Sequence, residues 1–474
     1  MRNAAGAMSL RRRLGLWLGP LLALAVLASP LPSLSPPAHR LASIMTLVVV
    51  LWISEPLPVY LTGVLGALAA VLVRAAGPQM LLSSFLDPII FLFIGSFMLA
   101  KAMQIHGVDR RIAYAILVHP WVEGSTYRVL AAFGLTAWLL AMWTGITACA
   151  AMLLPVALAI AAAAGTLPGS RYSTSLLLML TYAASAGAMA TPVGTPPNLI
   201  GIGLIHQETG VRIGFLQWMS FGLPVAAALL AARYALLVWL FPPDIPQVPG
   251  QLGRLRRLIQ EMGPWTRGQR NTLIAFGTAI TLWVLPGVAG TLSPGVAALL
   301  AAGLLFFLPM GEKRRRFTLH WKEAVSIDWG TVLLFGSGIA LGRMMFETGL
   351  AGAVGSALLS SVGDQPGLLL GAAVLIAALL SELASNTAAA SMIIPVMLGF
   401  YPGNPAAGTG LALAATLGAS LGFMFPVSTP ANAMIHGSGA VRMKDLVKGG
   451  FWVDITGVGV IWAAARWLIP LTTG

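Results

Sequence analysis

Cysteine is nearly absent. Cys149 is the only one, so no intrachain disulfide, CxxC pair or cysteine metal cluster is available. The six histidines show no HExxH or similar spacing, which leaves a metalloenzyme without support. Charge is scarce too: 9% of the 474 residues are charged, 57% are hydrophobic and the mean hydropathy is +0.85. A soluble domain does not read this way. The composition is that of an all-α polytopic membrane protein. The short alternating segments of an outer-membrane barrel are missing. Acidic residues number 15 against 28 basic ones, a net charge of +13. That excess lies in short loops between apolar runs, where the positive-inside rule puts it, so no nucleic-acid partner is expected. No nucleophile–base pair or metal cluster stands at membrane depth, so no enzyme is expected either.

The chain is organised around a polar island, Ser381-Glu382-Leu383-Ala384-Ser385-Asn386-Thr387. Gly367 to Leu380 before it and Ala388 to Phe400 after it carry no charge. Each flank is shorter than the ~20 apolar residues a spanning helix needs. That predicts a re-entrant helical hairpin, whose polar tip must be buried in protein or line a watery cavity. A helix break follows at Phe425-Pro426-Val427-Ser428-Thr429-Pro430-Ala431-Asn432, because proline removes a donor and disrupts the preceding turn. Tyr127 to Met142 and Ala148 to Ala164 flank a second tip, Trp143-Thr144-Gly145-Ile146-Thr147. A second break lies at Thr191-Pro192-Val193-Gly194-Thr195-Pro196-Pro197-Asn198. Paired interrupted elements of this kind point to a transporter's binding site.

The remaining apolar runs give about eleven transmembrane helices plus the two re-entrant hairpins. Met1 to Arg13 is a polar start, and Leu14 to Leu31 reads as a retained first span rather than a signal peptide, since it exceeds an h-region. Walking the spans from a cytoplasmic N-terminus puts Asp109-Arg110-Arg111, the central loop with Arg254, Arg256, Arg257, Arg267 and Arg270, Lys313 to Arg316, and Arg442, Lys444 and Lys448 all inside. Arg40, Arg74 and Arg212 fall outside, and the C-terminus ends external. The expected location is the plasma (inner) membrane.

The halves repeat. Thr147-Ala148-Cys149-Ala150-Ala151-Met152-Leu153-Leu154-Pro155-Val156 matches Thr387-Ala388-Ala389-Ala390-Ser391-Met392-Ile393-Ile394-Pro395-Val396, and Pro192-Val193-Gly194-Thr195-Pro196-Pro197-Asn198 matches Pro426-Val427-Ser428-Thr429-Pro430-Ala431-Asn432. One hairpin enters from each side, so the repeat is inverted, with sites expected at the midplane. Helix N-termini at the tips offer free N–H groups and partial positive charge to an anion, and four of them, with restarts at Asn198 and Asn432, are expected to converge. Ser, Thr and Asn side chains and unwound carbonyls offer oxygen to a hard cation. The same side chains also cap helices.

These motifs resemble the divalent anion:sodium symporter family. The tip Ser385-Asn386-Thr387, the run Ala419 to Asn432, and the stretches Trp52 to Pro58, Gly95 to Ala113 and Trp329 to Gly342 carry the resemblance, which covers nearly the whole chain from about Leu41. The family implies an inverted-repeat, elevator-type transporter that forms a homodimer and carries a small di- or tricarboxylate, such as succinate or citrate, with sodium. Alternatives are a sodium-independent anion exchanger and transport of sulfate or another inorganic anion. The resemblance implies a substrate site of Ser385, Asn386, Thr387, Thr429 and Pro430 with Thr147, Thr195 and Pro196, and a sodium site of Ser381, Ala384, Asn386 and Ser428. It also implies an order of parts: 1–40 tail and first span, 41–126 scaffold, 127–241 transport domain, 242–271 cytoplasmic linker, 272–364 scaffold and 365–474 transport domain.

The first tip departs from the pattern. Gly145-Ile146-Thr147 stands opposite Ser385-Asn386-Thr387, and Ala141 stands where a hydroxyl is usual. A first sodium site built on Thr144, Gly145 and Gly194 therefore rests on backbone oxygen and is expected to be weak. Restoring it with Ala141→Ser, Gly145→Ser and Ile146→Asn is expected to steepen the sodium dependence. Lys101 and Arg343 are related by the repeat; Lys101 is expected to snorkel to an interface. Glu382 stands beside Asn386, either holding the cation or making a structural hydrogen bond. Asp454 reads as an acid near the start of the last span, a position that needs no function.

Overall fold

The computed structural model describes residues 10–247, 251–285, 292–311, 317–362, 365–401 and 404–473. Among them there is no strand, only a single bridge between Pro309 and Phe317. Lys313 to Arg316, which bear on the orientation argument, lie outside the described residues. The chain divides into two compact units. One takes Met1–Asp87, Ile200–Arg212 and Trp329–Ala419; the other takes Pro88–Leu199, Ile213–Asp328 and Ser420–Gly474.

In the first unit the helices Leu10–Ala28 and Pro36–Ser54 pack along one another. Ser35 caps the second of these, accepting from the Ala38 amide, and proline follows at the first helical position, where no donor is needed. Trp329–Glu347 packs against Val59–Leu72, Pro78–Ser84 and Asn386–Leu398. Pro366–Leu383 packs on Thr409–Gly418 so closely that a Cβ on Gly418 would lie 2.8 Å from the Val374 carbonyl oxygen. Small residues let backbones approach in this way where lipid removes the hydrophobic drive for helices to associate.

The second unit is built around Arg171–Met189. Every residue from Tyr172 to Met189 is buried, the signature of a helix with neighbours on all sides. Thr126–Thr144, Ile146–Ala163 and Phe215–Leu240 surround it. Its end is a run of small residues, Ala183 to Ala188, and Gly187 sits directly against the Trp138 carbonyl. Elsewhere in this unit Pro88–His106 packs on Pro294–Leu304.

Eight helices among the described residues are long and apolar enough to cross a membrane, and five shorter apolar helices accompany them. Both arms of the first hairpin, Thr126–Thr144 and Ile146–Ala163, are in the long set, as is Pro366–Leu383. The last of these corrects the flank read from sequence. The helix does not stop at Leu380 but runs through Ser381, Glu382 and Leu383, because Ser381 and Glu382 are buried and Ser381 finds partners inside the protein. Eighteen residues span about 27 Å, close to a ~30 Å hydrocarbon core, so shortness argues for re-entry only in Asn386–Leu398, with its 13 residues.

Two further expectations are corrected. The broken helices restart at Pro196 and Pro430 rather than at Asn198 and Asn432, since proline is pre-set for the first helical position. Asp454 is not near a helix start. Its helix begins at Met443, so the acid sits three turns in and is buried.

Candidate functional site

The second tip lies in the first unit. Pro366–Leu383 ends at Ala384, whose backbone is extended (φ −130°, ψ 179°), and Asn386–Leu398 begins behind Ser385. Ser385 is the N-cap; its hydroxyl oxygen accepts from the Ala388 amide at 3.3 Å. The Ser381 hydroxyl has two acceptors in reach, Asn386 Oδ1 at 2.8 Å and the Ala419 carbonyl at 2.9 Å. Ser381 and Asn386 are buried, and Thr387 is half-buried. The structure thus gathers Ser381, Ala384, Ser385, Asn386 and Thr387 at one turn. A serine hydroxyl can donate, as here, or turn a lone pair to a cation, so this cluster of three oxygens suits a small hard ion. Glu382 is buried beside them.

The first tip and first break lie together in the second unit. Gly145 joins the two arms at φ +78° and ψ 166°, and a Cβ there would meet the Gly194 carbonyl oxygen at 3.5 Å. Thr191 ties the break to the tip by donating from Oγ1 to the Met142 carbonyl at 2.6 Å. The Thr144 hydroxyl is turned back to the Leu140 carbonyl at 2.9 Å, away from the role of a free ligand. Thr147 is exposed, Thr195 buried and Pro196 half-buried. Aromatic side chains hold this tip: Trp143 stacks on Phe215 at 6.3 Å and meets Phe276 edge-on at 5.1 Å. The side-chain oxygen present at the second tip therefore has no counterpart from Ala141, Gly145 and Ile146.

The second break, also in the second unit, carries Ser428, Thr429 and Pro430. Ser428 and Thr429 are buried and Pro430 is exposed. Thr429 caps Pro430–Gly437, accepting from the Asn432 amide at 3.1 Å. This short helix packs against the Ile146–Ala163 arm.

Both breaks supply fewer donors than helix N-termini usually do. Pro196, Pro197 and Pro430 have no N–H; the Asn198 amide is taken by the Thr195 carbonyl at 3.2 Å, and the Asn432 amide by Thr429. At the second tip Ser385 likewise takes the Ala388 amide, so only the first tip differs. Glycine cannot cap with a side chain, so the first-turn amides behind Gly145 have no side-chain acceptor from their cap.

In the sequence Asn198 and Asn432 stand out only as restart points. The structure gives them a matched task. Asn198 Nδ2 donates to the carbonyls of Ala188 (3.1 Å) and Thr191 (2.8 Å), and Asn432 Nδ2 donates to those of Gly422 (3.3 Å) and Phe425 (3.2 Å). In each copy the acceptors stand ten and seven residues upstream, so each asparagine staples its own unwound loop. The shared asparagine after proline was the available signal. Arg343 donates to Ser83 Oγ at 3.2 Å, while its repeat mate Lys101 is half-buried in the other unit.

A family model described as the sodium:sulfate symporter transmembrane region matches residues 14–473. The sodium-dependent dicarboxylate transporter SdcS of Staphylococcus saprophyticus is 30% identical over 483 aligned positions, covering 97% of this chain and 92% of the relative. SdcS of Staphylococcus aureus is 31% identical over 486 positions, with the same coverage.

Proposed function

We propose, from the premise that the chain belongs to the sodium:sulfate symporter family, that it is a secondary active transporter moving a small dicarboxylate together with sodium. The observation that carries this reading is the second tip, where Ser381 Oγ, Asn386 Oδ1 and the Ala419 carbonyl gather within hydrogen-bond distance in a buried turn. Sodium binds there to lone pairs of Ser381 Oγ and Asn386 Oδ1, with the Ala384 carbonyl as a further ligand, while the Ser381 hydroxyl keeps its proton on the Ala419 carbonyl; in the second unit Ser428 is the residue proposed for sodium. The residues proposed for the anion are Ser385, Asn386 and Thr387 in the first unit and, in the second unit, Thr429 and Pro430 with Thr147, Thr195 and Pro196. Residues 127–241 and 365–474 act as the moving body of an elevator, and 41–126 and 272–364 as its scaffold in a homodimer of the inner membrane. The proposal extends the substrates from dicarboxylates such as succinate to tricarboxylates such as citrate.

A second reading, sodium-independent exchange, is favoured by one observation: the first tip has Ile146 and Gly145 where the second has Asn386 and Ser385. Uptake into proteoliposomes, with and without a sodium gradient and across succinate, citrate and sulfate, separates the two. Symport requires uptake driven by inward sodium into empty vesicles; a Hill coefficient near one is expected, since the coefficient cannot exceed the number of sites, and a steeper dependence would show that backbone carbonyls or Thr144 complete the first site. Uptake that ignores sodium and needs a counter-anion inside establishes exchange instead.

A further inference from the structure

The unwound segment after Ser420 makes its turn on a carboxylate from another helix. Asp454 Oδ1 accepts the Gly422 amide at 3.0 Å and Asp454 Oδ2 accepts the Phe423 amide at 3.2 Å. Gly422 has φ +125°, a backbone only glycine adopts readily, and this turn aims two successive amides at one acid. The helix Met443–Ala463 is shaped for the contact. Gly450 lies directly against the Phe423 carbonyl, and a Cβ on Gly457 would be 2.7 Å from the Leu421 side chain. Gly450, Asp454 and Gly457 follow the four- and three-residue spacing of a single helix face, with the acid between two glycines. The start of the segment is fixed separately, by Ser185 Oγ donating to the Ser420 carbonyl at 2.9 Å.

A buried carboxylate needs a counter-charge. Arg233, in the middle of Phe215–Leu240, is fully buried, places its guanidinium 4.7 Å from the centre of the Phe423 ring and donates to the Tyr182 carbonyl. Its Nε and Nη2 have no hydrogen-bond partner among the described residues, and Asp454 is the acid whose charge acts on it. Tyr182 also meets Phe423 edge-on at 5.1 Å. Arg233 and Tyr182 therefore pack on the Phe423 ring, while Asp454 holds the Gly422 and Phe423 amides.

We propose that Asp454 is a positioning residue of the transport site: its carboxylate fixes the Gly422 and Phe423 amides, and through them the unwound segment that presents Ser428 and Thr429. The proposal rests on the reading of Ser428 and Thr429 as site residues given above. Asp454 touches neither ion. It sets where the backbone between Gly422 and Thr429 lies.

The test compares Asp454→Asn with Ser428→Ala in proteoliposome uptake of succinate. Asp454→Asn keeps one oxygen and turns an amide NH2 toward the other backbone N–H, losing about one charge-assisted hydrogen bond. The half-saturating concentrations of succinate and sodium should rise about tenfold, with the maximal rate per folded transporter changed far less. A fall in maximal rate alone, in step with less folded protein, means a merely structural role and overturns the proposal. If Ser428→Ala moves the constants and Asp454→Asn does not, only this proposal falls. If Ser428→Ala moves nothing, the site reading falls and takes the proposal with it. Should Asp454→Asn not accumulate, hydrogen exchange on the unaltered protein decides. The amides of Gly422 and Phe423 should exchange slowly although they lie outside any helix, and exchange at the rate of a free loop overturns the clamp.

Discussion

Gly145 is the position where sequence alignment and backbone disagree most sharply. It stands opposite Ser385, yet Ser385 is extended at φ −69° and ψ 148°, whereas Gly145 sits at φ +78° and ψ 166°. That region is essentially glycine-only and costs any other residue on the order of 1–3 kcal/mol. Crowding adds little, because the nearest atom to an added Cβ is the Gly194 carbonyl oxygen at an ordinary 3.5 Å. Gly145→Ser should therefore destabilise by about 2 kcal/mol through the backbone alone. For a chain of this length that lowers the unfolding midpoint by on the order of 2 °C. Ser385→Gly, the mirror change, gives up only the cap on the Ala388 amide and should cost a few tenths of a kcal/mol. The restoration suggested by sequence thus needs revision: Ile146→Asn with Gly145 kept adds a side-chain oxygen without strain and should steepen the sodium dependence of uptake. Adding Gly145→Ser on top should remove stability without adding sodium sensitivity. Thermal unfolding in detergent and sodium titrations of uptake read the two effects separately. A Gly145→Ser protein as stable as its parent would refute the claim that this tip depends on glycine's positive φ.

Asn386→Ala should abolish uptake while the protein still folds, since its amide is assigned to both ions; Ser438→Ala, whose hydroxyl serves only its own helix end, is the control and should transport at close to the parent rate. Asn198→Ala and Asn432→Ala each remove two hydrogen bonds to backbone carbonyls and should destabilise by about 2–3 kcal/mol apiece, measured by chemical unfolding; equal stability would show that the loops hold without their staples. On a Cys149→Ala background, single cysteines at Arg110 and Leu471 should react with impermeant reagent from opposite faces of the membrane, and labelling of both from one face would sink the assigned orientation.

The helical membrane class, the repeat and the neighbourhood of both tips and both breaks are legible in the chain, though the helix end at Leu383 and the restarts at Pro196 and Pro430 are not. The reason is physical: hydropathy over ~20 residues and the placement of proline act locally and leave a mark wherever they act. Ser385 as a cap belongs to the same local chemistry. Other features had no local mark. Whether Ser381 and Glu382 end a helix or continue it depended on acceptors 5 and 38 residues away, Asn386 and Ala419. The sign of φ at Gly145 depended on how two arms meet the first break. Asp454 looked like an ordinary acid near a helix start, and only the packing of Gly450 and Gly457 against the segment from Leu421 to Phe423 put its carboxylate under two backbone amides. Contacts between elements distant in sequence are made by the fold, and it is there that the placement of the acid and the buried arginine was decided, whereas the two asparagine staples close on acceptors only seven and ten residues upstream.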